Sequence, residues 1–139
     1  MSTMTEMGNL EIIFVDWLDA MRRGDVDRMA GRLAPDVVHQ GIRPELICPD
    51  RKAVIARLRD RAGRRPDVTA IELVEAGDQV VMSVRGEMIG VPADAASDQP
   101  RGQATVVFTL REGRIVHMQD YLTREAALNA VDAPHDVWQ

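Results

Sequence analysis

The first third of the chain alternates apolar and polar residues with the period of a helix. Over residues 10–21 the apolar positions fall mostly three or four residues apart, which places them on one face of a helix with Asn9 as its N-cap. A second apolar stripe over residues 26–33 predicts a shorter helix, capped by Asp25 and ended by Pro35. Two helices are therefore predicted to meet at a tight corner.

A short strand, a loop and a third helix are predicted next. Residues 37–42 are typical of a strand, and the proline-containing residues 43–49 indicate a loop. The third helix is predicted to begin after Asp50 and to end near Gly63, a residue type that tolerates the left-handed conformation common just past helix ends.

In the second half of the chain the pattern takes the period of a strand, with turn signals at residues 76–78 and 112–113. The alternation predicts antiparallel strands over residues 68–75, 80–89, 103–111 and 114–122, a flap-like loop over residues 90–102 and a last helical turn or two over residues 125–131.

Helices followed by a run of strands indicate an α+β fold class. In such a fold the N-terminal helices cover one face of a curved antiparallel (mixed) sheet and can enclose a pocket. With 139 residues and no internal repeat, the chain is expected to form one domain over residues 1–139, with flexible tails at 1–8 and 133–139.

Composition and charge narrow the classes of function. Hydrophobic residues make up 45% of the chain and charged residues 28%, as in folded globular proteins rather than disordered or membrane-embedded ones. The formal net charge of -5 disfavours nucleic acid and anionic lipid as partners. Since no basic residue precedes the first short apolar patch, neither a secretory signal nor a membrane span is predicted, and we expect a cytoplasmic protein.

Metal and disulfide chemistry are not expected. Cys48 is the only cysteine, which excludes an internal disulfide and a cysteine-rich zinc site. His117 and His135 lack the spacing to other ligands that a metal site requires. We therefore predict no metal and no cofactor.

Three ionisable residues on the predicted strands are candidates for catalysis. Alternate side chains share a face, so Arg85 and Glu87 are neighbours on one strand, while Asp120 ends an apolar line on the last strand. If those two faces meet, the guanidinium of Arg85 can hold one ionised and one protonated carboxyl at the same time. Such a trio suits the opening of a strained ring by water, or proton transfer beside a carbonyl.

Other interpretations of the same residues stay open. Arg85 and Glu87 can form a solvated edge whose ion pair contributes little to stability. His39 can act as a general base, since histidine titrates nearest neutrality, or it can be structural. Trp17 can form a pocket wall or belong to the core. The chain is then an acid–base enzyme, a non-catalytic module that binds a hydrophobic molecule, or a structural protein.

Three stretches of the chain resemble a known superfamily. They are residues 14–25 (FVDWLDAMRRGD), 33–39 (LAPDVVH) and 112–122 (EGRIVHMQDYL). Together with the order of elements, they resemble the nuclear-transport-factor-2-like, or SnoaL-like, superfamily over nearly the whole chain. The resemblance implies a cone-shaped α+β barrel, in a superfamily that includes isomerases, cyclases, hydrolases, dehydratases and binding modules.

Within this superfamily, the spacing of Arg85, Glu87 and Asp120 is similar to that in the limonene epoxide hydrolases. The similarity implies that Asp120 takes a proton from water, that Glu87 gives one to the epoxide oxygen and that Arg85 bridges them. Those enzymes orient the water with a tyrosine and an asparagine on the first strand, where this chain has His39 and Gly41.

The expected partner is a small apolar molecule. The residues predicted to bind it are His39, Trp17, Met118 and Tyr121. Members of the superfamily are often dimers, and the outer sheet face can supply such an interface, so we also expect a homodimer.

Overall fold

The computed structural model describes residues 8–61, 68–86 and 103–131, and its helices lie close to the predicted positions. None of the helices in these ranges is long and apolar enough to cross a membrane. Helix α1 is continuous. Its segments Asn9–Ile12 and Ala20–Arg23 are α-helical, and its middle segment, Ile13–Asp19, is π-helical. The helices that follow it are α2 (Val26–Gly31), α3 (Arg51–Arg61) and α4 (Arg124–Ala130).

The cap predicted for the second helix is confirmed, the one predicted for the first helix is wrong, and Asp50 caps the third helix, which begins after it as predicted. The Oδ1 atom of Asp25 accepts a hydrogen bond from the backbone N–H of Arg28 at 3.1 Å, and that of Asp50 accepts one from Ala53 at 2.8 Å. Asn9, in contrast, is already inside helix α1, because the preceding glycine occupies the N-cap position and no side chain caps this end. The prediction for residue 63 lies outside the described residues.

Within the described residues, six strands form one mixed sheet with the order β2-β1-β6-β5-β4-β3. Strands β1 and β6 are parallel, and every other neighbouring pair is antiparallel. The strands are β1 (Leu33–Gln40), β2 (Ile47–Cys48), β3 (Val68–Ala76), β4 (Gln79–Gly86), β5 (Gln103–Arg111) and β6 (Arg114–Tyr121).

The first strand differs from its prediction. It begins at Leu33 rather than at residue 37, and it passes through Pro35. A proline is tolerated there because the pairing with β6 shifts register between Leu33 and Val38, so its missing N–H interrupts an already irregular part of the ladder. The segment 43–49, predicted as loop, contains the short strand β2. The predicted flap over residues 90–102 lies outside the described residues.

The sheet has two different faces. Its inner face packs against helices α1 to α3 and forms the main core, with Phe108, Val80 and Ile115 fully buried. Its outer face carries α4, whose Ala127 and Leu128 pack on a smaller apolar cluster from β3, β4 and β5. Because side chains alternate along a strand, the face on which a residue lies decides which of these environments it meets.

A buried ion cluster ties the helical layer to the sheet. The π-helical segment presents Asp16, whose carboxylate accepts hydrogen bonds from Nε of Arg28 at 2.9 Å and from Nε of Arg32 at 2.7 Å. Arg32 also donates through Nη1 to the carbonyl of Gly113 in the β5–β6 turn, and its own carbonyl accepts from Ile115. One carboxylate thus links α1, α2 and the start of β6.

The cluster sets the charge state of Asp16. Burial opposes ionisation, but the hydrogen bonds from Arg32 and Arg28 outweigh it and hold the pKa of Asp16 below its ordinary value. A lowered folded-state pKa stabilises the fold fully above the unfolded-state pKa, and this contribution is lost as pH falls through the folded-state pKa.

We expect Asp16→Asn to destabilise the protein. Removing one partner of a fully buried ion pair costs about 3–5 kcal/mol, and since both arginines stay partly exposed we expect about 2–3 kcal/mol here. Urea unfolding followed by tryptophan fluorescence measures the loss, and the difference from the unmodified protein should shrink as the pH is lowered.

The matched control is Asp19→Asn, which makes the same chemical change on the same helix. Asp19 pairs with Arg23 at 3.1 Å on the surface, where its side chain is 38% exposed. Exposed pairs contribute at most about 1 kcal/mol, so this variant should stay within that range. Equal destabilisation by the two variants would contradict the structural role of the buried cluster.

Candidate functional site

The structure does not bring Arg85 and Asp120 together. Arg85 lies opposite Gln103 of β5 on the outer face, whereas Asp120 lies opposite Val106 of β5 on the inner face. Residues 103 and 106 of one strand point to opposite sides of the sheet, so the predicted bridge from Arg85 to Asp120 is wrong. Glu87, the predicted acid, lies outside the described residues.

Asp120 instead pairs with His39. Strands β1 and β6 run parallel with His39 opposite Met118, two residues before Asp120. The Nε2 atom of His39 lies 2.8 Å from Oδ1 of Asp120, and the two side chains are 17% and 15% exposed. The pair is therefore well enclosed while part of its surface stays open to a ligand.

The surroundings of this pair on the inner face are apolar. Cys48 of β2 lies opposite His39, and Val106 of β5 lies opposite Asp120. Across from the sheet, Ile55 and Leu58 of α3 also contact the core while remaining only partly buried. An acid–base pair at the border between a dry core and partly exposed apolar side chains can meet a small molecule that is mostly apolar.

The predicted ligand-binding residues fall in different environments. Trp17 is 5% exposed and packs edge-on against Phe108, with ring centroids 5.4 Å apart. Met118 is 1% exposed, so it also belongs to the inner-face core. Tyr121 lies opposite Thr105 on the outer face and packs against the cluster under α4. Tyr121 therefore cannot line the same hollow as His39.

The hydrogen bond between His39 and Asp120 has a chemical consequence. An ionised Asp120 can only accept, so in the neutral tautomer of His39 that bonds to it Nε2 carries the hydrogen and Nδ1 has the lone pair. The same carboxylate favours the imidazolium that forms when Nδ1 takes up a proton. The pair can therefore act as a general base and then return the proton as a general acid.

The turn after His39 is fixed by hydrogen bonds. The amide nitrogen of Gln40 donates to the carbonyls of Arg43 at 2.9 Å and Leu46 at 3.3 Å. The N–H of Gly41 also donates to the carbonyl of Leu46. A Cβ at Gly41 would lie 2.7 Å from the Cβ of Leu46, so only glycine fits this close approach. The end of β1 that carries His39 is thereby held in place.

The pKa of a second histidine, His117, is influenced by His39. His117 lies on the outer face of β6, opposite Thr109. Burial lowers its pKa, and repulsion from His39 lowers it further. Within the described ranges, no group of three or more histidine, cysteine or carboxylate residues is arranged to hold a metal ion.

Comparison with known proteins identifies the fold. The sequence matches the family model of the SnoaL-like domain over residues 14–118. No curated protein matches the chain.

Several solved structures are similar over most of the chain. An NTF2-like protein of unknown function from Cytophaga hutchinsonii has a TM-score of 0.63 at 12% identity, covering 88% of this chain and 97% of that one. A candidate polyketide cyclase from Pseudomonas putida has a TM-score of 0.63 at 17% identity, with coverages of 91% and 99%. A protein with a ketosteroid isomerase-like fold from Catenulispora acidiphila, solved with trimethylamine, has a TM-score of 0.58 at 17% identity, with coverages of 91% and 96%. At these identities the likeness shows the fold, and the predicted cone-shaped α+β class is confirmed.

We expect His39→Gln to raise the pKa of His117 toward its ordinary value. The substitution removes the imidazole whose protonated form repels a proton on His117, while burial continues to lower the pKa of His117. An NMR titration of the histidine ring signals measures this change. Arg114→Gln removes a positive charge from the same strand and should leave the titration of His117 where it is. A His117 curve that is identical with and without His39 would contradict the coupling.

Proposed function

Because the chain belongs to the SnoaL-like domain family, we propose that it binds a small, mostly apolar molecule at the inner face of its sheet and moves a proton beside a carbonyl group of that molecule. The observation that carries this proposal is the hydrogen bond of 2.8 Å between His39 and Asp120. No cofactor is needed for such a step, since histidine supplies both the base and the acid.

The proposed reaction follows from the hydrogen-bonding state of the pair. Nδ1 of His39 takes a proton from the carbon next to the carbonyl, and the electron pair of the broken C–H bond forms the enolate. Asp120 stabilises the imidazolium through its bond to Nε2. Where a carbon–carbon double bond adjoins that carbon, the enolate extends over it and the proton returns to its far end, which isomerises the molecule. Otherwise the enolate carbon attacks a second carbonyl and closes a ring, and the proton goes to the oxygen of that carbonyl.

Isomerase or cyclase chemistry is better supported than epoxide hydrolysis. The hydrolytic mechanism needs a guanidinium between two carboxylates, and Arg85 lies on the opposite face of the sheet from Asp120. One of the similar structures is named as a candidate polyketide cyclase, which supports cyclase chemistry as a candidate. The apolar residues Cys48 and Val106, which lie opposite His39 and Asp120, suit a ligand with few polar groups.

The proposal includes a homodimer formed through the outer face of β1, β2 and β6. Helix α4 packs on β4, β5 and β6, and among the described residues its main contacts do not include β1 or β2. On this uncovered side Ile47 is 47% exposed, next to the partly exposed Gln40 and Gln119. A second copy would bury this surface without covering the inner face, so the ligand site would stay open.

We expect Asp120→Asn to reduce catalysis without unfolding the chain. The amide cannot stabilise the imidazolium of His39, and general acid–base catalysis is worth about 10²–10⁴-fold in rate. The assay follows deuterium uptake next to the carbonyl in a panel of enolisable ketones by proton NMR. His39→Gln should lose at least as much activity, because it removes the base itself.

The control for this experiment is Asp36→Asn, the same chemical change on β1. The side chain of Asp36 is 72% exposed, and its ion pair with Arg111 lies at the surface, so the rate should be unchanged. Saturable binding of the ketones without any exchange would instead identify a binding module. Full exchange activity in Asp120→Asn would remove the pair from the mechanism.

We expect Ile47→Glu to separate the dimer into monomers. The substitution places a charge in the apolar part of the proposed interface, where it would be buried without a partner. Light scattering after size-exclusion chromatography should give twice 15.4 kDa for the unmodified protein and 15.4 kDa for the variant. Phe14→Glu is the matched control, since Phe14 is also 47% exposed but lies on α1. A monomeric unmodified protein would contradict the proposal.

A further inference from the structure

Helix α3 carries an arginine whose side chain has no partner. Among the described residues, the buried Nε atom of Arg57 has no hydrogen-bond acceptor, and its guanidinium forms no ion pair. A buried donor without an acceptor destabilises a fold, and a charged donor does so more strongly. Native proteins contain few such groups, and a functional role is one of the reasons for keeping them. Arg57 is therefore a candidate for contact with a bound molecule.

The missing partner is not explained by a shortage of carboxylates. The chain has 22 acidic and 17 basic residues, and Asp60 lies less than one helical turn along α3 from Arg57. Asp60 is exposed, and no ion pair joins it to Arg57 in the described part of the chain. Of the other carboxylates, that of Asp50 caps the start of α3, and that of Asp120 accepts from His39. The guanidinium thus stays available although acidic residues are close to it along the chain.

Arg57 lies beside the face of α3 that packs on the sheet. Val54 is 1% exposed and belongs to the same core cluster as Val37 of β1. Residues three apart on a helix are neighbours, so Arg57 is next to Val54, and Leu58 packs against the same cluster. Helix α3 contacts β1, and the residue that follows Val37 on the inner face of β1 is His39. The buried Nε atom therefore lies at the boundary between α3 and the strand that carries the candidate site.

The geometry of the free donors selects the kind of acceptor. The Nε–H and one Nη–H of an arginine point in parallel and match the two oxygens of a carboxylate. Arg124 of this protein shows the arrangement, since it donates through Nε to Oε1 of Glu72 at 2.7 Å and through Nη2 to Oε2 at 3.1 Å. Arg57 has the same two donors without a protein carboxylate. The segment Arg51–Arg61 also contains five basic residues and one acidic residue, which favours an anion.

We propose that the molecule bound at the inner face carries a carboxylate and that Arg57 binds both of its oxygens. The ligand class is then a small keto acid, with its carbonyl beside His39 and an apolar chain between the two polar groups. The inference rests on the proposed function for the position of the ligand, but not for the proton transfer. Arg57 is only partly buried, so its guanidinium is accessible to a ligand that enters beside α3.

The test compares straight-chain keto acids of four to eight carbons with their uncharged methyl esters. NMR titration of the amide signals, at an ionic strength kept constant with sodium chloride, gives the affinity for each compound. For at least one chain length we expect the acid to bind at least about tenfold more tightly than its ester, as expected for hydrogen bonds to a charged group. Arg57→Gln should bring this ratio close to one. Arg57→Met, which keeps the apolar stem, should do the same.

The control is Arg59→Gln, which removes the same charge from the same helix. Arg59 is 63% exposed and pairs with Asp27 at 3.5 Å on the surface, so the ratio should stay at the value of the unmodified protein. No saturable binding of any acid, a ratio near one in the unmodified protein, or a ratio that Arg57→Gln and Arg57→Met leave unchanged would each overturn the proposal. Thermal unfolding confirms that each variant is folded before the affinities are compared.

A variant of His39 separates this inference from the proposed function. His39→Gln should keep the preference for the acid over the ester while losing deuterium exchange beside the carbonyl. Exchange that depends on His39, together with a ratio that does not depend on Arg57, would overturn the inference alone. A ratio that depends on Arg57, together with exchange that His39→Gln leaves intact, would overturn the proposed chemistry and support the carboxylate site.

Discussion

The parallel pairing of the first and last strands is the constraint on which the candidate site depends. It places His39 beside Met118, and the pleat then brings the imidazole within 2.8 Å of Asp120. The start of this pairing is anchored by Arg32, which binds both Asp16 and the turn at Gly113. Strand β1 is thus held against strand β6, and each strand contributes one residue of the candidate site.

The enclosed carboxylates of this protein have two different roles. The carboxylates of Asp16 and Glu72 each meet arginine donors on both oxygens, so their hydrogen-bonding capacity is largely used and they fix neighbouring elements. The pair of His39 and Asp120 is different, because a single hydrogen bond between them leaves a ring nitrogen available. In the structural ion pairs both carboxylate oxygens accept from arginine, whereas at the candidate site one ring nitrogen of His39 is available to a ligand.

The sequence allowed the elements to be predicted, but not their relative faces. Periodicity located the helices and the strands, and the caps at Asp25 and Asp50 follow from local hydrogen bonding. Strand β5 lies between β4 and β6, and its register with each of them decides which of their side chains lie on the same face of the sheet. No local sequence pattern encodes that register. For this reason Arg85 and Asp120 were predicted to meet. The partner of Asp120 is His39, 81 residues away, which only the sheet order brings close.

The π-helical middle of α1 has a consequence for sequence change in this protein. Such a turn holds one more residue than an α-turn would, so a deletion within Ile13–Asp19 could restore ordinary helical winding. The segments on either side would keep nearly their present orientation around the helix axis, because the wider π-helical turn already takes up the extra residue, whereas a deletion from a regular helix rotates the segments by about 100°. Ile12 and Leu18 would then both stay in the core, so the loss of one exposed residue such as Phe14 should be better tolerated in this segment than a deletion from a regular helix.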